Sequence, residues 1–254
     1  MDSLLLTSST TTDGVTERRF HLGDVPGILW TPEGATGPRP LVLLGHGGGM
    51  RMDVPRLVAS ARATVSAHGF AVAAIDAPGH GARPRLPRDD AARAEIRAAR
   101  TADDSARFAA VSTRYMAELA EQAVPEWQAV IDALQALPEV GADAPVGYGG
   151  SISLGSAIGI PLTAAEPRIR AAVFGGGFFV SAAVVEAARR IRVPVQFLLP
   201  WDDEHASRAD SLALFDAFGS EEKTLHANPG DHRRPRWLGL DEDFLARHLT
   251  AVAA

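Results

Sequence analysis

Short apolar runs rich in β-branched residues alternate with longer segments of helical periodicity along most of this chain. The runs that predict strands are Pro40–Gly45, Phe70–Asp76, Pro145–Gly150, Ile169–Phe174, Val193–Leu199 and Lys223–Ala227. The segments that predict helices are Val54–Ala67, Leu154–Ala165, Ser181–Ile191, Ser207–Phe218 and Asp241–Ala253. Because strands that alternate with helices are typical of βαβ units, we predict an α/β fold with an open, mostly parallel central sheet flanked by helices.

Two regions depart from this alternation. Near the start of the chain, Glu17–Gly23 and Pro26–Pro32 predict an antiparallel pair of strands. Residues of about 82–110 are rich in Arg, Ala and Asp and have no strong apolar face. They predict a short helical insertion over the C-terminal edge of the sheet. A long amphipathic helix follows over about Val111–Leu137, with Pro125 as a candidate point of interruption because proline lacks the N–H that a helix interior needs.

Composition limits the class of protein further. The chain has 254 residues, of which 46% are hydrophobic and 22% charged, a normal size and balance for one α/β domain. We therefore treat residues 1–254 as a single domain that includes the insertion. The formal net charge of -6 argues against a nucleic-acid partner, which would need a basic surface. The absence of cysteine excludes disulfides, thiolate metal sites and a cysteine nucleophile.

The amino-terminal segment predicts no targeting signal. It lacks a basic region, and its apolar run, Leu4–Leu6, is too short for the core of a signal peptide. No stretch of the chain approaches the roughly 20 apolar residues that a membrane span needs. We expect a cytoplasmic protein that does not interact with a membrane. Its oligomeric state cannot be read from these patterns.

A turn crowded with small residues follows the strand Pro145–Gly150 and opens the next helix. Such a strand-to-helix turn can hold a nucleophilic serine in the strained nucleophile elbow, whose usual motif is G-x-S-x-G. Ser153 fits this motif with a serine in place of the first glycine, and Ser151 fits it with a serine in place of the last. We prefer Ser153 as the nucleophile, because small residues then follow it where the helix must pass close to the strand. Ser151 stays open as the alternative.

A serine hydroxyl becomes a good nucleophile only when an imidazole accepts its proton and a carboxylate orients that imidazole. Three acids, Asp202, Asp203 and Glu204, follow the strand Val193–Leu199, and we choose Asp203. His232 lies in a glycine-containing turn after the last strand, which is the place for a base in the chain order Ser, Asp, His. His205 is a second candidate, because it neighbours the acids.

The glycine run after the first buried strand, His46–Gly49, allows the main chain to approach a ligand closely. Preorganised main-chain N–H groups stabilise the oxyanion of a tetrahedral intermediate. We expect those donors to be Leu154 together with Gly48, or with Gly49 as the next choice. The run lacks the Lys-Ser/Thr pair of a phosphate-binding loop. No cofactor and no metal ion are expected.

Taken together, these motifs resemble the α/β-hydrolase superfamily, with bacterial dienelactone-hydrolase-like and acyl-peptidase-like esterases as the most similar groups. The motifs are LVLLGHGGG at 41–49, AAIDAPGHG at 73–81, SLGSAIG at 153–159, WDDE at 201–204 and HANPGDH at 226–232. They occur in the family's order from about residue 17 onward. The resemblance implies that Ser153, Asp203 and His232 are catalytic. The segment GYGGSISLG departs from the family's pattern by what looks like one extra residue.

We expect a serine hydrolase that cleaves carboxylic esters with small or medium acyl groups and needs only its small-molecule acyl substrate as a partner. A lactonase, an amidase or peptidase, or a carbon–carbon hydrolase on the same scaffold is the alternative, because fold alone does not decide among them. A non-catalytic binding protein of the same fold is a third possibility.

The insertion carries six arginines that allow two interpretations. They could form a basic mouth for a substrate that bears a carboxylate, or a solvated face paired with Asp89, Asp90 and Glu95. We favour the solvated face, because charge runs are usually solvated. The arginines are Arg83, Arg85, Arg88, Arg93, Arg97 and Arg100.

Overall fold

The computed structural model describes residues 3–150, 153–232, 234 and 237–250. Within these ranges the chain forms one sheet of nine strands with seven helices. The strands are β1 (Leu4–Thr12), β2 (Val15–Leu22), β3 (Val25–Pro32), β4 (Leu41–Gly45), β5 (Ala71–Ile75), β6 (Val146–Gly150), β7 (Ile169–Gly175), β8 (Val195–Pro200) and β9 (Lys223–Asn228). The helices are α1 (Pro55–His68), α2 (Pro87–Thr101), α3 (Ser105–Gln135), α4 (Leu154–Ala165), α5 (Ala182–Arg190), α6 (Arg208–Ala217) and α7 (Phe244–Thr250).

The strand order across the sheet is β1-β2-β3-β5-β4-β6-β7-β8-β9. From β5 to β9 all neighbours are parallel, whereas β1, β2 and β3 are antiparallel to their neighbours. The predicted open, mostly parallel sheet with flanking helices is therefore confirmed. The chain crosses from one side of β4 to the other after β5, so that β4 and β6 are neighbours. Ligands of such sheets bind at this point of reversal, beyond the carboxyl ends of the strands.

The sheet is buried on both faces at its centre. All five residues of β4 and all five of β5 are buried, as continuous apolar strands require in a parallel sheet. Successive side chains point to opposite faces, so Leu43 joins one cluster of buried side chains and Val42 the other. The first cluster includes residues of α3, α4, α5 and α6, and the second includes residues of α1 and α7.

Strand β1, the middle of helix α3 and the start of helix α7 differ from the sequence predictions. Strand β1 was not predicted, because almost every residue of it is exposed and the chain there shows no alternation of apolar and polar positions. Helix α3 runs through Pro125 without interruption, because the buried residues on either side of the proline, including Ala123 and Trp127, keep both halves packed. The last helix begins at Phe244 instead of Asp241, and its predicted end lies outside the described residues.

The predicted insertion forms α2 and the first turn of α3, which we call the cap. Arg93 on α2 donates a hydrogen bond of 3.0 Å to the carbonyl oxygen of Gly79, in the turn that follows β5. Asp89 is buried there and accepts a bond of 2.7 Å from the main-chain N–H of Leu86. The bond from Arg93 connects the cap to the C-terminal edge of the sheet, where the sequence analysis predicted it, and the bond between Asp89 and Leu86 stabilises the start of α2.

Candidate active site

The turn between β6 and α4 holds Ser153 in an unusual main-chain conformation. Its φ is 69° and its ψ is -125°. Positive φ is uncommon for a residue with a side chain and costs about 1–3 kcal/mol. The other described non-glycine residues with positive φ are Asp13 and Asp103, and aspartate tolerates this region better than most residues. The conformation of Ser153 is the one that a nucleophile elbow requires.

Close contacts on both sides of the turn hold this conformation. A Cβ atom on Gly155 would lie 3.1 Å from the main chain of Gly45, so a side chain at this position would push the first turn of α4 away from the end of β4. The main-chain N–H of Ser153 donates a hydrogen bond of 3.1 Å to the carbonyl oxygen of Gly176 after β7. The small residues after Ser153 thus occur where the sequence argument required them. Ser151, the alternative nucleophile, lies outside the described residues.

The predicted oxyanion loop approaches Ser153. A Cβ atom on Gly48 would lie 3.7 Å from the Oγ of Ser153 and 4.0 Å from the Cβ of Leu154. Gly48, Leu154 and the serine hydroxyl therefore meet at one place, while Gly49 follows with a φ of 74° and open space around its Cα. The two expected donors, Gly48 and Leu154, lie next to each other beside Ser153, and their role in binding an oxyanion stays a prediction.

The side chain of His46 connects this loop to the turn that follows β5. Its side chain is buried, its Nδ1 lies 2.9 Å from the carbonyl oxygen of Gly47, and its Nε2 accepts a bond of 3.0 Å from the main-chain N–H of Ala77. An imidazole that donates through Nδ1 and accepts through Nε2 is neutral. Burial lowers the pKa of His46, which keeps it in this form. The side chain joins the ends of β4 and β5 and is a scaffold residue.

The structure brings Asp203 and His232 together from the ends of two neighbouring strands. Asp203 follows β8, His232 follows β9, and the carboxylate Oδ2 lies 2.9 Å from the imidazole Nδ1. The other oxygen, Oδ1, accepts hydrogen bonds from the main-chain N–H groups of His205 and Ala206, at 2.7 and 3.0 Å. Of the three clustered acids, Asp203 is the one that contacts the imidazole of His232.

These contacts shift the pKa of both partners. Burial alone would raise the pKa of Asp203, but the hydrogen bonds from His232 and from two main-chain N–H groups outweigh it and hold the pKa below its usual range. The hydrogen bond to Asp203 raises the pKa of His232, while burial opposes the rise. The charge of Glu204 adds to the rise and that of Arg100 lowers it. The pair therefore favours an ionised carboxylate that holds Nδ1–H and leaves Nε2 free to accept a proton.

Gly177 is a part of the site that sequence reasoning missed. Its φ is 78°, and a Cβ atom there would lie 2.8 Å from the Oδ2 of Asp203 and 3.3 Å from the Nδ1 of His232. Because Gly176 binds the main chain of Ser153, this glycine segment after β7 connects the serine turn with the acid–base pair. The only signal in the sequence is the glycine run Gly175–Gly177 at a strand end, which does not tell which loops meet there.

We expect Gly177→Ala to separate Asp203 from His232. The added methyl group would occupy the space where the two side chains meet, so the pKa of His232 should fall toward its ordinary value. NMR titration of the His232 ring measures this change. Gly34→Ala is the matched control, because Gly34 also has positive φ, 67°, but open space around it. The control should lose about 1–2 kcal/mol of stability and keep the wild-type titration. An unchanged titration in Gly177→Ala would contradict the expectation.

Aromatic side chains from the cap and from two neighbouring loops lie beside His232. The ring of His205 lies 5.0 Å from that of His232, and the ring of Phe108 on α3 lies 6.4 Å from His205. Phe108 also packs edge-on against Phe179 at 5.2 Å, and the guanidinium of Arg100 stacks on Phe108 at 4.6 Å. Phe108 is thus the aromatic residue of the cap that lies against His205, the neighbour of His232.

Several arginines of the cap have acidic partners. Arg83 makes a bidentate pair with Glu126, with both bonds at 2.6 Å, and Arg85 lies 3.2 Å from Asp90. Glu95 accepts from arginines on α3. Arg85 and Asp90 form a pair of the kind that the solvated-face interpretation predicts, whereas Arg83, Arg85 and Arg93 line a cavity, as a basic mouth would. Both interpretations of the insertion therefore stay predictions. The cavity has a volume of about 390 Å³ and separates this part of the cap from the glycine loop. Its lining includes Gly49, Met50, Gly79, His80, Arg83 and Arg93.

Within the described ranges, no three histidine, aspartate or glutamate side chains are grouped so that they could hold a metal ion. No helix of the described residues has both the length and the apolar character that crossing a membrane requires.

Three features together place this chain in the class of α/β hydrolases. They are the crossover sheet, the strained serine turn, and the acid and histidine that follow the last two strands. Scans against protein-family models and curated protein sequences found no match for the chain. Among solved structures, the PEG-bound complex of a cold-adapted esterase from an Arctic intertidal metagenomic library is 30% identical, with 96% of this chain and 98% of that chain covered and a TM-score of 0.74. The chain belongs to the α/β-hydrolase superfamily, which confirms the resemblance of its motifs.

More distant structures share the fold. Acetyl xylan esterase 1 from Thermoanaerobacterium sp. is 16% identical, with 98% of this chain and 87% of that chain covered and a TM-score of 0.62. A dienelactone hydrolase from Anabaena variabilis is 18% identical, with 96% and 94% covered and a TM-score of 0.50. At these identities the likeness concerns the architecture alone.

Proposed function

We propose that this protein is a serine hydrolase that cleaves carboxylic esters with small or medium acyl groups, with Ser153, His232 and Asp203 as its catalytic triad. The observation that carries the proposal is the connection between the strained Ser153 turn and the Asp203–His232 pair through the glycines after β7. Several structural relatives are described as esterases, including the cold-adapted esterase at 30% identity, which supports ester cleavage over other acyl chemistry.

The proposed reaction gives each of these residues one task. Asp203 holds the Nδ1–H of His232, so Nε2 can take the proton of the Ser153 hydroxyl as its oxygen attacks the ester carbonyl carbon. The resulting oxyanion is stabilised by the main-chain N–H groups of Leu154 and of Gly48 or Gly49. When the intermediate collapses, His232 gives the proton to the departing alcohol and an acyl-enzyme remains. Water, activated by the same imidazole, then releases the acid and restores the serine.

The cap supplies the wall of the substrate pocket in this proposal. Phe108 and Phe179 present apolar surface next to His205 and His232. A short or medium acyl or alcohol group can bury its carbon atoms against such rings at about 0.8 kcal/mol for each CH₂ group. The cap would thereby set the preferred chain length.

A panel of p-nitrophenyl esters of graded acyl length, combined with a fluorophosphonate label, tests the proposal. We expect turnover with acetyl to hexanoyl esters and labelling of one serine. Labelling without turnover of these esters would favour a lactone, amide or carbon–carbon substrate on the same scaffold. Failure of both labelling and turnover would overturn the proposal in favour of a non-catalytic binding protein.

We expect kcat/KM for an ester to rise with pH through a single ionisation, with a midpoint above the ordinary imidazole value of about 6.5. A general base must be neutral, and Asp203 raises the pKa of His232, so the active form is reached only at a higher pH. Initial rates between about pH 5 and 9 at constant ionic strength measure this rise of kcat/KM. His232→Ala is the control, since it should remove the rise together with nearly all of the activity. A midpoint below the ordinary value would contradict the expectation.

A further inference from the structure

The loops that carry the acid and the base lie side by side beyond the ends of β8 and β9. The ladder between these strands ends at Pro200 and Asn228. The main chains stay connected past this point, because the N–H of Trp201 donates to the carbonyl oxygen of Asn228 at 2.9 Å and that of Asp202 donates to Gly230 at 3.1 Å. The loop after β8, which carries the acids, is therefore hydrogen-bonded along its main chain to the loop after β9, which carries the histidine.

Each of the three consecutive acids binds a different part of the histidine loop. The Oδ2 of Asp202 accepts a hydrogen bond of 3.1 Å from the N–H of Gly230. Asp203 binds the imidazole of His232. The Oε2 of Glu204 accepts a bond of 3.1 Å from the main-chain N–H of His232. His232 is thus held at its ring by one acid and at its main chain by the next.

We propose that Glu204 is a positioning residue that fixes the main chain of His232 so that Asp203 can hold the ring. This inference rests on the proposed function. Asp203 can orient the imidazole only where the main chain of His232 places it. Gly230, two residues before His232, has a φ of 140°, which is open mainly to glycine, so we expect the loop to need a hydrogen bond that fixes its main chain after this residue. A carboxylate that accepts from a main-chain N–H makes a charge-assisted bond, stronger than a neutral one.

Glu204 acts on His232 in two ways that can be separated. Its hydrogen bond fixes the main chain, and its charge raises the pKa of the ring. The other charged or titratable groups that face the ring are Asp203, which raises this pKa, Arg100, which lowers it, and His205, whose ring lies 5.0 Å away. Hydrogen bonds from its own main chain and from that of His232 lower the pKa of Glu204 itself, so it is charged at neutral pH.

Two substitutions separate the effects. Glu204→Gln keeps an oxygen that can accept from His232 but removes the charge, whereas Glu204→Ala removes both. We expect Glu204→Ala to lower kcat by about 10- to 100-fold with little change in KM, because small displacements of catalytic groups have effects of this size. Glu204→Gln should restore kcat to within about threefold of wild type. The midpoint of its rise in kcat/KM with pH should move to a lower pH. Glu186→Ala is the control, since Glu186 is a comparably exposed glutamate on α5.

A second measurement needs no substrate. The pKa of the His232 ring, followed by NMR, should fall in Glu204→Gln through loss of the charge. It should fall further in Glu204→Ala, because the ring is then held less well against Asp203. Equal shifts in the two variants, or wild-type kcat in Glu204→Ala, would overturn the positioning role. A wild-type protein without esterase activity would instead overturn the proposed function, and the ring titration would still decide the role of Glu204.

Discussion

Ser153→Ala is expected to abolish ester turnover and labelling by a fluorophosphonate. Without the hydroxyl no acyl-enzyme forms, and kcat should fall by about 10⁶-fold, the loss observed when the serine of such a triad is removed. What remains is the slow reaction that the oxyanion donors and substrate binding support. Turnover of a p-nitrophenyl ester, mass spectrometry of the labelled protein and thermal unfolding measure the effect and show that the fold survives.

Ser151→Ala decides between the two serines of the turn. Ser153 has the positive φ of an elbow and lies beside Gly48, so Ser151→Ala should keep a substantial fraction of both turnover and labelling. The opposite result, with full loss in Ser151→Ala and retention in Ser153→Ala, would move the nucleophile to Ser151 and require a different arrangement of the turn.

Asp203→Asn is expected to lower kcat by about 10⁴-fold while the protein stays folded. The amide can still fill the space, but it no longer favours the tautomer of His232 with a proton on Nδ1, which is the origin of a loss of this size in serine proteases. Steady-state kinetics on the best ester of the panel provide the measurement.

Asp202→Asn is the matched comparison, because it alters the neighbouring carboxylate, which binds Gly230 instead of the ring. An amide oxygen can still accept that bond, so most of the activity should remain. A larger loss in Asp202→Asn than in Asp203→Asn would show that the acid had been assigned one residue too late.

Chain order and strand ends were sufficient to predict that Asp203 and His232 lie next to each other. Asp203 follows the buried strand β8 and His232 follows the edge strand β9, and parallel strands bring such positions to one edge of the sheet. The sequence did not reveal, however, that the other two acids, Asp202 and Glu204, bind the histidine loop. Those hydrogen bonds depend on how the two loops lie side by side. Gly177 was missed for the same reason. Its importance comes from a contact with residues 26 and 55 positions further along the chain.

The strands at the buried centre of the sheet were predictable, because burial imposes an apolar pattern on them. The exposed first strand was not. Strands β4 and β5 are wholly buried, so their apolar runs are distinctive. Strand β1 is exposed along its length, and its formation depends on pairing with β2 instead of on a pattern of its own. Pro125 shows the opposite case, in which packing around α3 outweighs a local preference for interruption.

The conformation of Ser153 has a consequence for engineering. Glycine adopts positive φ without strain, so a procedure that optimised thermal stability alone would place glycine at position 153 and discard the hydroxyl. Improvements in heat tolerance must therefore come from other parts of the molecule, such as its surface or its loops, where added stability does not compete with turnover. In the proposed mechanism, the residue that is held in a strained main-chain conformation is also the one that supplies the nucleophile.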